Sequence, residues 1–110
     1  MSFELTRRLV LEEPSRTPDG AGGFTELWSN LGYIWAQIEP IGAGTEGVPE
    51  GLGARLRTRI TMRAAPVGSS RRPVTGQRLR EGARAFEVEV VTEAEHPLYI
   101  WVWAREVTLA

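Results

Sequence analysis

The sequence predicts an all-β fold, a small barrel or sandwich with long loops and at most one short helix. Three observations carry this. Twelve glycines and seven prolines cut 110 residues into short segments, the punctuation of a strand-and-turn chain. Residues 55–63 and 85–91 alternate apolar and polar side chains with period two, so that one face of each strand meets a core. No span sustains the 3.6-residue period of a helix, and there are no internal repeats. The length suits a single domain, residues 1–110.

Taken in order, residues 9–13 (Leu-Val-Leu-Glu-Glu) read as a first strand, entered through residues 3–8. Residues 14–23 read as a loop, with Pro18-Asp19-Gly20 supplying turn chemistry. Residues 24–28 are a short extended piece, and residues 33–38 a stronger second strand that ends at Glu39-Pro40. Residues 42–53 follow with five glycines, Gly42, Gly44, Gly47, Gly51 and Gly53, together with Glu46 and Pro49. With so few apolar side chains to bury, this stretch is expected to be a mobile excursion or a plain surface loop.

In residues 55–63, Leu56, Thr58, Ile60 and Met62 form one face and Arg55, Arg57, Arg59, Thr61 and Arg63 the other. Residues 64–76 are irregular, with Arg71 and Arg72 near their middle. Residues 77–80 form a short strand before a Glu81-Gly82 turn. In residues 85–91, Phe86, Val88 and Val90 point inward and Glu87 and Glu89 outward. The last strand, residues 98–109, is apolar on both faces at first: Leu98, Ile100, Val102 and Ala104 on one, Tyr99, Trp101 and Trp103 on the other. A strand in a one-core domain keeps one wet face, so the aromatic face calls for a cover, either another layer of this chain or a neighbouring subunit.

The composition excludes several functions. With no cysteine, there is no disulfide framework, no thiolate nucleophile and no common zinc pattern. The lone histidine, His96, sits beside Pro97 in a turn and has neither a nucleophile nor a second histidine to work with. The Gly-rich stretch lacks the Gly-Lys-Ser/Thr ending of a phosphate loop. No enzyme, metal site or cofactor is predicted. The beginning shows no signal peptide and no run reaches membrane-spanning length, so a soluble intracellular chain is expected, with no membrane partner. A formal net charge of −1 gives no global pull toward nucleic acid.

All thirteen basic residues are arginine. The row Arg55, Arg57, Arg59 and Arg63 repels itself unless anions intervene, and Glu87 and Glu89 offer the opposite pattern. Three arrangements satisfy it: a cross-strand ladder within the sheet, a bond between neighbouring subunits, or a basic wall facing DNA.

The order of motifs adds a resemblance. Asp19-Gly20-Ala21-Gly22-Gly23, Trp28, and Tyr33-Ile34-Trp35-Ala36-Gln37-Ile38-Glu39-Pro40 resemble the head–tail joining (head closure, or stopper) family of tailed bacteriophages, also found in gene transfer agents. The pattern continues with Gly44-Thr45-Glu46, Ile60-Thr61-Met62-Arg63, Arg78-Leu79 and Phe86-Glu87-Val88. The resemblance implies a β-barrel assembled in the bacterial cytoplasm as a homo-oligomeric ring of six or twelve copies at the head–tail junction of a virion. The ring would sit below the portal and its adaptor, continue the channel for double-stranded DNA without reading its sequence, and dock a tail terminator or tail protein. The loop between the second and third main strands, residues 41–54 here, would point to the channel and gate it. Gly47, Pro49, Gly51 and Gly53 point away from closure by an ordered helix and leave a flexible gate. The segment 64–76 is longer than usual for the family and reads as an arm reaching a neighbour. Arg55, Arg57, Arg59, Arg63, Arg71, Arg72, Glu87 and Glu89 would serve subunit contacts or face DNA, and Tyr99, Trp101 and Trp103 would be interface aromatics. The competing reading is an oligonucleotide-binding type of barrel that stacks bases on Trp35, Trp101 or Trp103.

Overall fold

The computed structural model describes residues 4–41 and 57–109. They form six antiparallel strands: β1 (Arg7–Pro18), β2 (Phe24–Ile41), β3 (Arg57–Arg63), β4 (Arg78–Glu81), β5 (Arg84–Glu93) and β6 (Tyr99–Thr108). One sheet closes on itself in the order β1-β2-β3-β6-β5-β4. Among the described residues there is no helix. The predicted gating residues Gly42, Gly44, Glu46, Gly47, Pro49, Gly51 and Gly53, and Arg55 with them, lie outside the described residues.

Alternation builds the core. Leu9 and Leu11, Ile34 and Ala36, Ile60 and Met62, Leu79, Phe86 and Val88, and Ile100, Val102 and Ala104 point inward from the six strands in turn and pack as one cluster. Because the sheet is closed, a single set of inward side chains fills the interior and no second layer is needed.

Four readings change against the structure. Residues 14–18 are strand, and only residues 19–23 turn. Pro14 and Pro18 suggested a loop, but a proline is tolerated in a strand where its nitrogen faces an open edge. The pieces 24–28 and 33–38 belong to one 18-residue strand. They are joined through a bulge: Leu11 pairs with Gly32 and Glu12 with Asn30, which leaves Leu31 as the extra residue. Gly32 has φ 132°, a conformation that side-chain-bearing residues avoid. A second bulge, between Val88 and Val90, reverses the parity of β5. Val91 therefore packs against the core in place of Val90. Finally, Leu98 precedes β6 and is 57% exposed, so it does not share the inner face of Ile100, Val102 and Ala104.

Beyond Glu12 the β1–β2 hairpin leaves the barrel. Its residues 13–30 form a two-stranded ribbon, since β4 pairs with β1 only from Val10 to Glu12 and β3 pairs with β2 only from Ala36 onward. The molecule is elongated, 52 Å against 29 and 25 Å. Its turn is fastened by Asp19, whose Oδ1 accepts from the Ala21 and Gly23 amides at 2.8 and 3.1 Å. A Cβ on Gly23 would come within 2.8 Å of that carboxylate, so the Asp19 side chain would have to shift to admit one.

Leu79 is fully buried on the four-residue strand that closes the sheet. Leu79→Ala is expected to lower the unfolding free energy by about 2–5 kcal/mol, measured by urea denaturation.

Candidate assembly surfaces

Three surfaces follow from the strand order. The first is the outside of the closing seam. Glu12 is 6% exposed and receives hydrogen bonds from Arg78 Nε at 2.7 Å and Arg80 Nε at 3.2 Å. Arg78 and Arg80 flank the inward Leu79 and so share the outer face. The indole of Trp28, on the ribbon, lies over the Arg78 guanidinium at 3.9 Å. One buried carboxylate thus holds two arginines, and one of these carries the base of the ribbon.

The second surface is the outer face of β2, β3, β6 and β5. Register places Glu39, Arg59 and Trp103 side by side on three strands. Arg59 bonds Glu39 at 3.2 Å and covers the rings of Trp101 at 4.5 Å and Trp103 at 5.9 Å. Trp103 is 1% exposed and donates its Nε1–H to Thr92 Oγ1 at 2.9 Å. Tyr99 is buried and Trp101 half-buried. Groups of this chain therefore lie against the aromatic face. Gln37, Thr61 and Trp101 occupy one cross-strand row, and their Oε1, Oγ1 and Nε1 atoms are buried with no hydrogen-bond partner among the described residues. Such groups cost about 1–3 kcal/mol each.

The predicted charges divide into two sets. Since β6 separates β3 from β5, the arginine row and Glu87/Glu89 do not form a simple two-strand ladder. Arg57, buried at 3% exposure, reaches past β6 to Glu89, Nε to Oε1 at 2.9 Å, without the alignment of a hydrogen bond. Glu87 pairs with Arg105 across β5–β6 at 2.6 Å. Arg72 bonds the Ala65 carbonyl at 3.1 Å and Glu93 at 3.4 Å. Arg63 and Arg71 are exposed and have no carboxylate partner among the described residues. They flank a recess of about 270 Å³ lined also by Leu5, Ile34, Trp35 and Met62.

The third surface is the barrel end where β4 turns into β5. Arg7 makes a two-pronged bond to Glu81, its Nε at 2.7 Å and its Nη2 to the other oxygen. Arg84 does the same to Glu106, at 2.7 and 3.2 Å. The Arg7 hydrogen bond, stronger than the opposing effect of burial, holds the Glu81 carboxyl below its ordinary value. Arg84 acts likewise on Glu106. His96 has a local role: its Nδ1 accepts from the Leu98 amide at 3.2 Å and its ring meets Tyr99 edge-on.

Sequence reading missed Glu12, Arg78 and the Arg7–Glu81 pair as structural devices. Their partners are 66 to 74 residues away, and no local pattern announces them.

Paired charges thus lie outside a closed core. The phage head completion protein family matches residues 2–107. The chain belongs to that family. A head completion protein is a structural component of the virion and not an enzyme. Among solved structures, the chain is similar to one in the "Virion of native gene transfer agent (GTA) particle", with 43% identity and a TM-score of 0.72. The match covers 97% of this chain and 99% of that one. Among curated proteins no sequence matches.

Two predictions follow from the ion pairs of this head completion protein. Glu12→Gln leaves Arg78 and Arg80 without their shared anion and is expected to cost about 3 kcal/mol of stability; the exposed Glu95→Gln stays within about 0.5 kcal/mol. Equal losses for the two, by denaturant titration, would contradict the clamp. For Glu81, a lowered folded-state pKa means that the folded state binds fewer protons, so its contribution is present above the ordinary value of 4.5 and disappears as pH falls through the lower folded value. The stability gap between the wild type and Glu81→Gln, about 1 kcal/mol or less for so exposed a pair, should be full at neutral pH and shrink below that value. Denaturation over a pH series checks it.

Proposed function

We propose that this protein forms a homo-oligomeric ring at the head–tail junction, below the portal and adaptor, which continues the DNA channel and docks the tail. The observation that carries the reading is the two-way, nearly complete match to a chain of a gene transfer agent virion at 43% identity. At that identity and coverage the two chains share a fold, which supports a virion place for this one.

The charge arrangement supports a conduit. Eight arginines, Arg7, Arg57, Arg59, Arg72, Arg78, Arg80, Arg84 and Arg105, direct their charge to glutamates of the same chain. A wall with its cations compensated does not neutralise phosphates in series, so duplex DNA slides past without being held or read. In this reading the 42–53 loop gates the channel. The outer face of β3 and β6 meets a neighbour mainly through Trp101 and Arg59, since Tyr99 and Trp103 are buried within one chain. That burial takes Trp103 away from base stacking and leaves Trp35, exposed beside Arg63 and Arg71, as the platform on which the oligonucleotide-binding alternative rests.

The experiment is co-sedimentation with the cognate portal–adaptor complex, with copy number counted by electron microscopy. A ring of six or twelve subunits on the adaptor is the expected result. Absence of binding across a range of salt concentrations, or salt-sensitive capture of free single-stranded DNA by the isolated chain, would overturn it.

A further inference from the structure

The ribbon formed by residues 13–30 poses a physical problem that a single copy does not solve. A two-stranded ribbon in water is marginal without a third strand or a packed face. This one carries Leu27 at 54% exposure and Phe24 at 63%. Trp28 is tied down at the base, on Arg78, whereas Phe24 meets the Arg16 guanidinium of the ribbon itself at 5.8 Å.

The two faces of the ribbon differ. Pairing puts Pro14 opposite Trp28 and Arg16 opposite Glu26 on the face that continues from Glu12. The other face carries Glu13 opposite Ser29 and Ser15 opposite Leu27, which sets the Glu13 carboxylate diagonally beside the exposed Leu27. Glu13 has no cationic partner among the described residues. That face therefore presents an apolar side chain with this anion next to it, opposite the Pro14, Glu26 and Trp28 face that lines a recess with Gly76, Glu87 and Glu89 of its own barrel.

The complementary surface exists on the same chain. The recess of about 270 Å³ near the end of β3 has Leu5, Ile34, Trp35 and Met62 on its walls, and among its lining groups Arg63 and Arg71, which have no carboxylate partner among the described residues. Trp35 is 55% exposed, the kind of anchored aromatic that dominates interfaces when covered. Apolar walls with spare cations match an apolar knob with a spare anion.

We infer that the Glu13/Leu27 face of the ribbon of one copy seats in the Trp35–Met62 recess of a second copy, with Glu13 meeting Arg63 and Arg71. This rests on the ring reading and deepens it. Knob and recess lie on different parts of the chain, so each copy can use its knob on one neighbour and its recess on another, a head-to-tail contact that generates a ring when its rotation closes. It also supplies the ribbon with the packed face it lacks.

The absence of cysteine makes the test clean. Leu27→Cys and Ala65→Cys are combined in one chain, Ala65 being part of the recess lining, and the rings are assembled on the portal–adaptor complex and oxidised. A ladder of covalent oligomers ending at the ring's copy number is expected, while each single variant gives no ladder. Separately, Glu13→Arg and Arg71→Glu are each expected to lower ring occupancy about tenfold, and the two together to restore most of it. If wild-type rings form but the double cysteine variant stays uncrosslinked or closes only within one chain, the docking is wrong and the ring reading stands. Assembly of both charge variants at the wild-type level would overturn the docking in the same way. If the wild type itself makes no ring, the ring reading falls and the docking with it.

Discussion

Closure of the sheet rests on three residue pairs between β1 and β4, Val10–Arg80, Leu11–Leu79 and Glu12–Arg78, and later features take their positions from them. On the inside the seam is sealed by Leu11 and Leu79. On the outside it is held by a carboxylate that bonds arginines at both Arg78 and Arg80. Without it β1 and β4 would each present an open edge, the arrangement that soluble sheets avoid. A buried ion pair is a poor source of net stability compared with a well-packed apolar pair, but removing one member is costly. The seam therefore gains specificity: register at β1–β4 is fixed where Glu12 meets both guanidiniums, and a slip of one residue would turn every side chain of β4 over.

The same clamp aims the ribbon. Glu12 is the last β1 residue with a partner on β4, and the bulge at Leu31 begins opposite it. Bulges bend the strand that carries them, so the hairpin changes direction at the point where Trp28 comes down on Arg78. Barrel closure and the angle of the projecting arm are thus one local arrangement of four side chains. For the proposed ring this coupling matters, because an arm that swings makes no defined contact.

Much of this was legible in the sequence, and the parts that were not share a cause. Residues 57–63 and 85–88 and the inner face of β6 were readable because each has an uninterrupted period of two. The two bulges were not, because they insert one residue and reverse the parity: Val91 replaces Val90 inside, and two predicted pieces become one 18-residue strand. Pro14 and Pro18 looked like loop markers because the sequence does not say which strand edges stay open. The charges of the arginine row were identified, but their partners were not. Arg59 finds Glu39 directly opposite on β2, and Arg57 reaches Glu89 only because β6 lies between β3 and β5. Those partners are properties of strand order, which local pattern does not encode. The family motifs, by contrast, can now be read physically. Gly23 leaves room for the Asp19 carboxylate in the ribbon turn, and Trp28 is the ring that rests on Arg78.

The prolines that obscured the ribbon also bear on which contacts it offers. A proline in a ribbon strand stands where its nitrogen would otherwise point to the open edge. Pro14 and Pro18, four residues apart, share that parity on β1 and remove two donors from its outer side. The other edge, along residues 24–30 of β2, contains no proline. An arm with one edge blunted and one intact cannot propagate a sheet from both sides, which is how exposed ribbons turn into fibres. What remains is a directional arm with a single open edge, one face carrying Leu27 and a spare carboxylate, and a base fixed to the barrel. Association of such an arm is selected by side-chain fit and charge rather than by indiscriminate backbone pairing. The proposed ring requires that selection: every copy must accept one neighbour on each side and no more.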